Sequence, residues 1–130
     1  MPKKVIYLDY AAATPVNKRV TEVMRPFYAE TFQNPSANYM AARDMRLQLD
    51  AARDRVAAVL GAKPTEVIFT AGGTEANNLA ILGVAQSFPG SHIVTTALEH
   101  DSVLAPVNHL QSLGWSITEV RPGLDGVVDP

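Results

Sequence analysis

The segment Gly72-Gly73-Thr74 contains residue types that are suited to binding an anion. It connects a predicted strand to the N-terminus of a predicted helix. Free backbone N–H groups and the helix dipole favour an anion at such an end, and glycine allows a phosphate to approach the backbone. The spacing matches neither the Walker A pattern nor G-x-G-x-x-G. The alternative is a tight turn in which Thr74 is an ordinary N-cap.

His100 is the second candidate for a chemical role. It lies four residues after Thr96, at the predicted end of a strand, between Glu99 and Asp101. An imidazole at that point can stack on a planar ring or move protons near neutral pH. The alternative is a surface histidine at the start of a helix whose cap is Asp101 or Ser102.

No metal site is predicted from the histidines of this chain. His92, His100 and His109 are separated by eight and nine residues, and these intervals fit no compact ligand pattern. The candidate site therefore rests on the glycine–threonine segment and on His100 alone.

Hydrophobic periodicity predicts the elements that position these two segments. The predicted helices cover residues 16–28 with an interruption at Pro26, 38–60 with Gly61 as C-cap, 74–86 and 102–113. The predicted strands cover residues 5–8, 66–70, 92–96 and 115–120, with a candidate strand at 127–128. The helix at 74–86 is apolar on most faces, so we expect it to be well buried. The charged residues between Arg43 and Arg55 are expected to form a solvated helix face.

From Glu66 onward, strands and helices alternate as β-α-β-α-β. This order predicts an α/β fold with a parallel sheet. In such sheets, ligands bind beyond the carboxyl ends of the strands. The glycine–threonine segment and the loop that contains His100 both leave predicted strands at that end. We therefore expect them to lie on the same side of the sheet.

Composition excludes several classes of protein. Eleven Lys and Arg against thirteen Asp and Glu give a net charge of −2, without the basic surplus expected of a nucleic-acid-binding protein. No apolar run approaches the roughly 18 residues of a membrane helix, and the start lacks the apolar core of a signal peptide. We therefore expect a cytoplasmic protein that binds neither nucleic acid nor membrane. The absence of cysteine excludes disulfides and a thiol nucleophile in this chain.

Several ordered segments resemble one known family. The opening segment Tyr7-Leu8-Asp9-Tyr10-Ala11-Ala12-Ala13-Thr14-Pro15 resembles the first motif of cysteine desulfurases, which are class V aminotransferase-like enzymes dependent on pyridoxal phosphate. Four further segments follow in the family's order and spacing: Asn34-Pro35-Ser36, Ala51-Ala52-Arg53, Val67-Ile68-Phe69-Thr70-Ala71-Gly72-Gly73-Thr74-Glu75-Ala76-Asn77-Asn78 and Glu99-His100. Each motif alone is weak, but together they make the resemblance specific.

The resemblance implies roles for three residues. Gly73 and Thr74 match the positions that hold the cofactor phosphate. His100 matches the histidine that stacks on the pyridine ring and takes part in proton transfer. The chain departs from the family's usual residues at Ala13, Tyr39 and Ala71, which match positions near the active-site entrance; these departures bear on substrate specificity.

The resemblance also implies that the chain is the N-terminal part of such an enzyme. In the family, the lysine that bonds to the cofactor, the aspartate that pairs with the pyridine nitrogen and the cysteine that accepts sulfur lie later in the sequence. None of the four lysines in this chain matches the cofactor lysine: Lys3, Lys4, Lys18 and Lys63. Residues 1–15 are predicted to form an N-terminal segment. Residues 16–130 are predicted to belong to the large, cofactor-binding domain of a fold-type-I enzyme, with an incomplete parallel or mixed sheet and flanking helices.

Three functional hypotheses remain open from the sequence. The first is a part of a cysteine desulfurase, which takes sulfur from L-cysteine for a sulfur acceptor or an iron–sulfur scaffold and works as a homodimer. The second is a non-catalytic remnant or interaction module. The third is another class V aminotransferase or a selenocysteine lyase. The family's sheet contains strands from later sequence, so we expect this chain alone to lack neighbours for its first strand and cover for its apolar helix.

Overall fold

Two units make up the chain, Met1–Val67 and Ile68–Pro130. The computed structural model describes residues 5–128. The first unit contains α1 (Lys18–Met24), α2 (Pro26–Ala29), α3 (Met40–Leu60) and a 3₁₀ turn (Pro64–Glu66). The second contains α4 (Gly73–Ser87), β1 (His92–Thr96), α5 (Asp101–Ser112) and β2 (Ser116–Val120). Within residues 5–128, no helix combines the length and the apolar composition needed to span a bilayer.

Proline and a polar cap set the limits of the first two helices. The Asn17 side chain accepts a hydrogen bond from the Arg19 N–H (2.9 Å) and caps α1. Pro26 cannot continue the hydrogen-bond pattern of a helix, but it is well suited to the first position of α2. The predicted interruption at Pro26 is confirmed.

Helix α3 follows its predicted pattern closely. Ala42 and Ala57 are buried, and Gly61 ends the helix in the left-handed conformation with φ of 65°. The prediction of a solvated charged face holds for Arg46, which is exposed, but not for Arg53, which is half-buried, and both side chains donate to backbone carbonyls. Arg46 donates to the carbonyls of Pro35 (2.8 Å) and Ala37 (3.1 Å), and Arg53 donates to the carbonyl of Val67.

In the second unit, α4 comes first and is followed by a β-α-β arrangement. Strands β1 and β2 pair in parallel, with His92 opposite Ser116 and Thr96 opposite Val120. Helix α5 connects them and packs against α4. The buried positions of this unit lie on these two helices: Ala85, Ser102, Pro106, Val107 and Leu110. The predicted α/β fold with an incomplete sheet and flanking helices is confirmed, and the sheet is small, open and parallel.

Three strand predictions are wrong for the described residues. Residues 5–8, 66–70 and 127–128 lie outside the two-stranded sheet, and Glu66 belongs to the 3₁₀ turn. Local contacts replace sheet pairing at two of these places. The Glu66 carboxylate caps the 3₁₀ turn by accepting from the Lys63 N–H (2.8 Å), and Val127 closes a turn through its carbonyl and the Gly123 N–H (2.8 Å). A strand forms only where a partner strand pairs with it, and periodicity does not report the partner.

The prediction that α4 is well buried is also wrong. Ala85 is its buried residue, whereas Leu79 and Val84 are 48% and 61% exposed. Helix α5 covers one face of α4, and the two-stranded sheet is too narrow to cover the others. This exposure agrees with the loss of cover that the family resemblance implied.

Candidate active site

A short turn shapes the N-terminus of α4. The Thr70 hydroxyl donates to the Gly72 carbonyl (3.1 Å), and the Glu75 carboxylate accepts from the Ala71 N–H (2.7 Å). Gly72 is the N-cap and has no side chain with which to cap the helix. The prediction that Thr74 could be an ordinary N-cap is therefore wrong, since Thr74 lies inside the first turn of α4.

The fold of the described residues does not require glycine at either of the two glycine positions in this turn. Gly72 has extended backbone angles that any residue adopts (φ 174°, ψ 177°), and Gly73 is helical. A Cβ placed on either residue would meet no atom within 4 Å. The missing side chains therefore leave open space beside the first backbone N–H groups of α4. That space suits the approach of an external anion, such as a phosphate.

Thr74 adds a hydroxyl at the same place. Its side chain is exposed, and among residues 5–128 no group forms a hydrogen bond with its Oγ1 atom. The backbone N–H groups of the first turn, this hydroxyl and the positive end of the helix dipole together form a suitable set of donors for a phosphate. The Glu75 carboxylate accepts a hydrogen bond from the Ala71 N–H, on the N-terminal side of these donors. An anion bound at the helix terminus would therefore lie near this carboxylate.

His100 is itself the N-cap of α5. Its Nδ1 atom accepts from the backbone N–H of Ser102 (3.1 Å) and lies 2.9 Å from the Ser102 Oγ. The prediction that Asp101 or Ser102 caps this helix is wrong. An Nδ1 that accepts a backbone hydrogen bond carries no proton, so the proton of the neutral ring is on Nε2. The ring is exposed, and Nε2 is available to a ligand.

The first turns of α4 and α5 are tied together by polar side chains. Asn77 Nδ2 donates to the Ser102 Oγ (2.8 Å). Asn78 Nδ2 donates to the Thr74 carbonyl (2.9 Å) and reaches the Ser102 carbonyl (3.5 Å). We call Asn77, Asn78 and Ser102 the polar clamp. The clamp links the turn that contains Gly73 and Thr74 to the helix that His100 caps.

Sequence reasoning missed the polar clamp. Two signals for it were present. Asn77 and Asn78 are adjacent amides in a helix that is otherwise apolar on most faces. Pro106 lies inside α5 and has no N–H for the Ser102 carbonyl, four residues earlier, to accept. A carbonyl freed in this way needs a donor from another element.

The other two histidines lie away from His100 within the second unit. His92 begins β1, and its Nε2 lies 2.8 Å from the Thr118 Oγ1 on β2. His109 lies in the last turn of α5, whereas His100 precedes the first. Across residues 5–128, no group of three or more His, Asp or Glu side chains could hold a metal ion.

Comparison with known proteins identifies the class. The family model described as aminotransferase class-V matches residues 6–130, and the chain belongs to this family, whose members depend on pyridoxal phosphate. Among solved structures, a protein titled NifS-like protein superposes with a TM-score of 0.88 at 36% identity, covering 95% of this chain and 34% of that one. A structure titled SspA in complex with cysteine gives a TM-score of 0.86 at 40% identity, covering 95% and 36%.

Similar curated proteins include cysteine desulfurases. The chain is 48% identical to cysteine desulfurase IscS of Dictyoglomus turgidum over 130 residues, which is 98% of this chain and 33% of that protein. It is 46% identical to the putative cysteine desulfurase IscS 1 of Bacillus subtilis, covering 95% and 33%. The chain thus spans about a third of the length of the curated relatives that it matches.

Proposed function

We propose that this chain supplies part of the cofactor site of a cysteine desulfurase. The observation that carries the proposal is the polar clamp, which joins the open turn at Gly73 and Thr74 to His100. Similarity to named cysteine desulfurases supports the substrate class. We use the term complete enzyme for a polypeptide that contains this chain together with the remaining part of a full-length family member. We assign residues 16–130 to the large domain of that enzyme.

Gly73 and Thr74 would hold the phosphate of pyridoxal phosphate. The backbone donors at the α4 N-terminus and the Thr74 hydroxyl match its charge, and the absent side chains leave it room. His100 would lie against the pyridine ring. When bound, the cofactor supplies an electron sink for bond cleavage in the amino-acid substrate.

His100 would hold and move a proton at Nε2. Nδ1 is occupied by the hydrogen bonds that cap α5, so Nε2 is the nitrogen through which the ring can exchange a proton with a substrate. The overall reaction transfers sulfur from L-cysteine to an enzyme thiol and releases L-alanine, leaving a persulfide. This chain has no cysteine, so that thiol belongs to the rest of the complete enzyme.

The same proposal concerns the sulfur acceptor, the oligomeric state and the compartment of the complete enzyme. A persulfide must pass its sulfur to an acceptor, which we propose is an iron–sulfur scaffold or another sulfur-acceptor protein. We further propose that the complete enzyme is a cytoplasmic homodimer. Similarity to cysteine desulfurases does not favour the alternatives, another class V aminotransferase or a selenocysteine lyase, and the experiment below distinguishes them.

The test is product analysis with the complete enzyme. Supplied with pyridoxal phosphate, a thiol reductant and L-cysteine, it should release L-alanine and sulfide in equal amounts. L-alanine with a 2-oxo acid tests the aminotransferase reaction, and L-selenocysteine tests the lyase reaction. Preference for either over L-cysteine, or no alanine from cysteine, would contradict the proposal. The 130-residue chain alone should release no sulfide, because it lacks the thiol and the cofactor lysine.

A further inference from the structure

We propose that Asn77 and Ser102 are positioning residues that fix the ring proton of His100 on Nε2. Neither side chain was assigned a role by the family motifs. The catalytic meaning of this inference rests on the proposed function, but the position of the proton does not.

The hydrogen-bond directions are determined by the Asn77 amide. Its Nδ2 group has only hydrogens to offer, so the Ser102 Oγ, 2.8 Å away, accepts. The hydroxyl hydrogen of Ser102 is therefore free to point to the His100 Nδ1, 2.9 Å away. The Ser102 backbone N–H donates to the same nitrogen. Both donors require a lone pair on Nδ1 and place the proton of the neutral ring on Nε2.

The burial of Ser102 favours this arrangement of hydrogen bonds. Ser102 is 7% exposed, whereas His100 is exposed. A buried hydroxyl without partners is costly, so the arrangement in which every atom is paired is favoured over one with a mismatched donor. A proton on Nδ1 would face the Ser102 backbone N–H, which cannot turn away because it belongs to α5.

The second amide holds Ser102 in place. Pro106 leaves the Ser102 carbonyl without its regular helical donor, and Asn78 Nδ2 reaches this carbonyl at 3.5 Å. The same amide donates to the Thr74 carbonyl at 2.9 Å. Ser102 is thus held at its hydroxyl by Asn77 and at its carbonyl by Asn78. The position of the His100 proton is consequently coupled to the turn that would bind phosphate.

The decisive variant is Asn77→Asp in the complete enzyme without cofactor. A carboxylate accepts and cannot donate, so the Ser102 hydroxyl would turn its hydrogen to residue 77 and present lone pairs to Nδ1. Ring ¹⁵N chemical shifts of His100, measured at a pH that keeps the imidazole neutral, report which nitrogen is protonated. We expect the Nδ1-protonated population to rise about tenfold, the scale of a coupled hydrogen-bond pair.

Two further variants separate this relay from a general disturbance. Asn77→Ala removes the amide donor but adds no acceptor, so the Ser102 hydroxyl can still donate to Nδ1, and the proton should shift clearly less than in Asn77→Asp. In a Ser102→Ala background, Asn77→Asp should no longer shift the proton, because its effect passes through the hydroxyl. An equal shift in Asn77→Ala, a shift that persists without the hydroxyl, or no shift in Asn77→Asp would each overturn the proposal.

His92 offers an internal control. Its Nε2 contacts the Thr118 hydroxyl, outside the polar clamp. Thr118→Ala should change the His92 signals and leave those of His100 unchanged, while Asn77→Asp should do the reverse. Movement of both histidines in Asn77→Asp would show a loss of structure and would contradict the relay.

Turnover of L-cysteine separates this inference from the proposed function. With cofactor, Asn77→Asp should lower kcat more than it changes KM, because the misplaced proton affects proton transfer more than binding. Equal kcat values in Asn77→Asp and wild type, together with a shifted proton, would show that the proton position does not matter for catalysis. A wild-type enzyme inactive on cysteine would contradict the proposed function and leave the ¹⁵N result standing.

Discussion

At the residue scale, His100 has a structural role, and the proposed function gives the same ring a chemical role. Nδ1 caps α5, and this leaves Nε2 exposed as the proton-bearing nitrogen. N-caps are usually Ser, Thr, Asp or Asn, whose oxygens serve the backbone equally well. A histidine used as a cap therefore has a second imidazole nitrogen that is free to take part in proton transfer.

The first prediction concerns the Thr74 hydroxyl. Thr74→Ala removes the hydroxyl that we propose donates to the cofactor phosphate, and it should weaken cofactor binding by about 1–3 kcal/mol, the scale of a hydrogen bond to a charged group. Cofactor dissociation from the complete enzyme, followed by absorbance, measures the change. Thr118→Ala, which removes a hydroxyl from β2, is the matched control. Equal affinity in Thr74→Ala and wild type would show that the hydroxyl does not contact the phosphate.

The sequence predicted the features of the site that depend on neighbouring residues, and it missed those that depend on contacts between distant residues. Gly73, Thr74 and His100 belong to short motifs that follow strands or precede helices, so their roles could be predicted, and those roles stay predictions. The bond from Asn77 to Ser102 joins residues 25 positions apart. It depends on how α4 packs against α5, which periodicity does not report.

At the element scale, helices depend on local signals and strands do not. The interruption at Pro26 and the end of α3 at Gly61 were predictable, because a proline ring and a left-handed glycine act within one turn. The segment from Glu66 to Thr70 has the composition of a strand. It does not join the sheet, because composition cannot supply a neighbouring strand.

A second prediction tests the end of α3. Gly61 has φ of 65°, where a side chain meets steric conflict, and its N–H and that of Ala62 bond to the carbonyls of Ala58 and Ala57. Gly61→Ala in the complete enzyme should lower the free energy of unfolding by roughly 1–2 kcal/mol. Gly61→Asn should lose clearly less, since asparagine tolerates this conformation. Urea titration compares them, and equal stability of wild type and Gly61→Ala would refute the cap.

At the scale of the whole molecule, the chain has little core of its own. Among the described residues, no large side chain is fully buried, and the buried hydrophobic positions are few: Ala42, Ala57, Ala85, Val107 and Leu110. Large apolar side chains such as Leu79, Val84 and Val94 remain exposed. Apolar surface of this kind favours association or packing against further polypeptide. The family's longer sequence would supply such cover.

The third prediction therefore concerns the 130-residue chain by itself. We expect it to be partly unfolded, molten or self-associated, because β1 and β2 have unpaired edges and α4 lacks cover. Amide hydrogen exchange and sedimentation measure this directly. The complete enzyme is the control and should protect β1 and β2. Slow exchange across both strands in a well-behaved monomer of the chain alone would show that it is self-sufficient.

In the proposed function, this part of the molecule moves a proton through His100 during sulfur removal from cysteine. The measurement that tests it most directly is the rate of L-alanine formation by the complete enzyme and its His100→Ala variant at saturating L-cysteine. General acid–base groups contribute about 10²–10⁴-fold, and we expect a loss of rate of that size. Loss of the α5 cap should also lower the free energy of unfolding by about 0.5–2 kcal/mol, so the two rates are compared under conditions in which urea titration shows both proteins to be folded. A His100→Ala variant that keeps more than half the wild-type rate would contradict the claim.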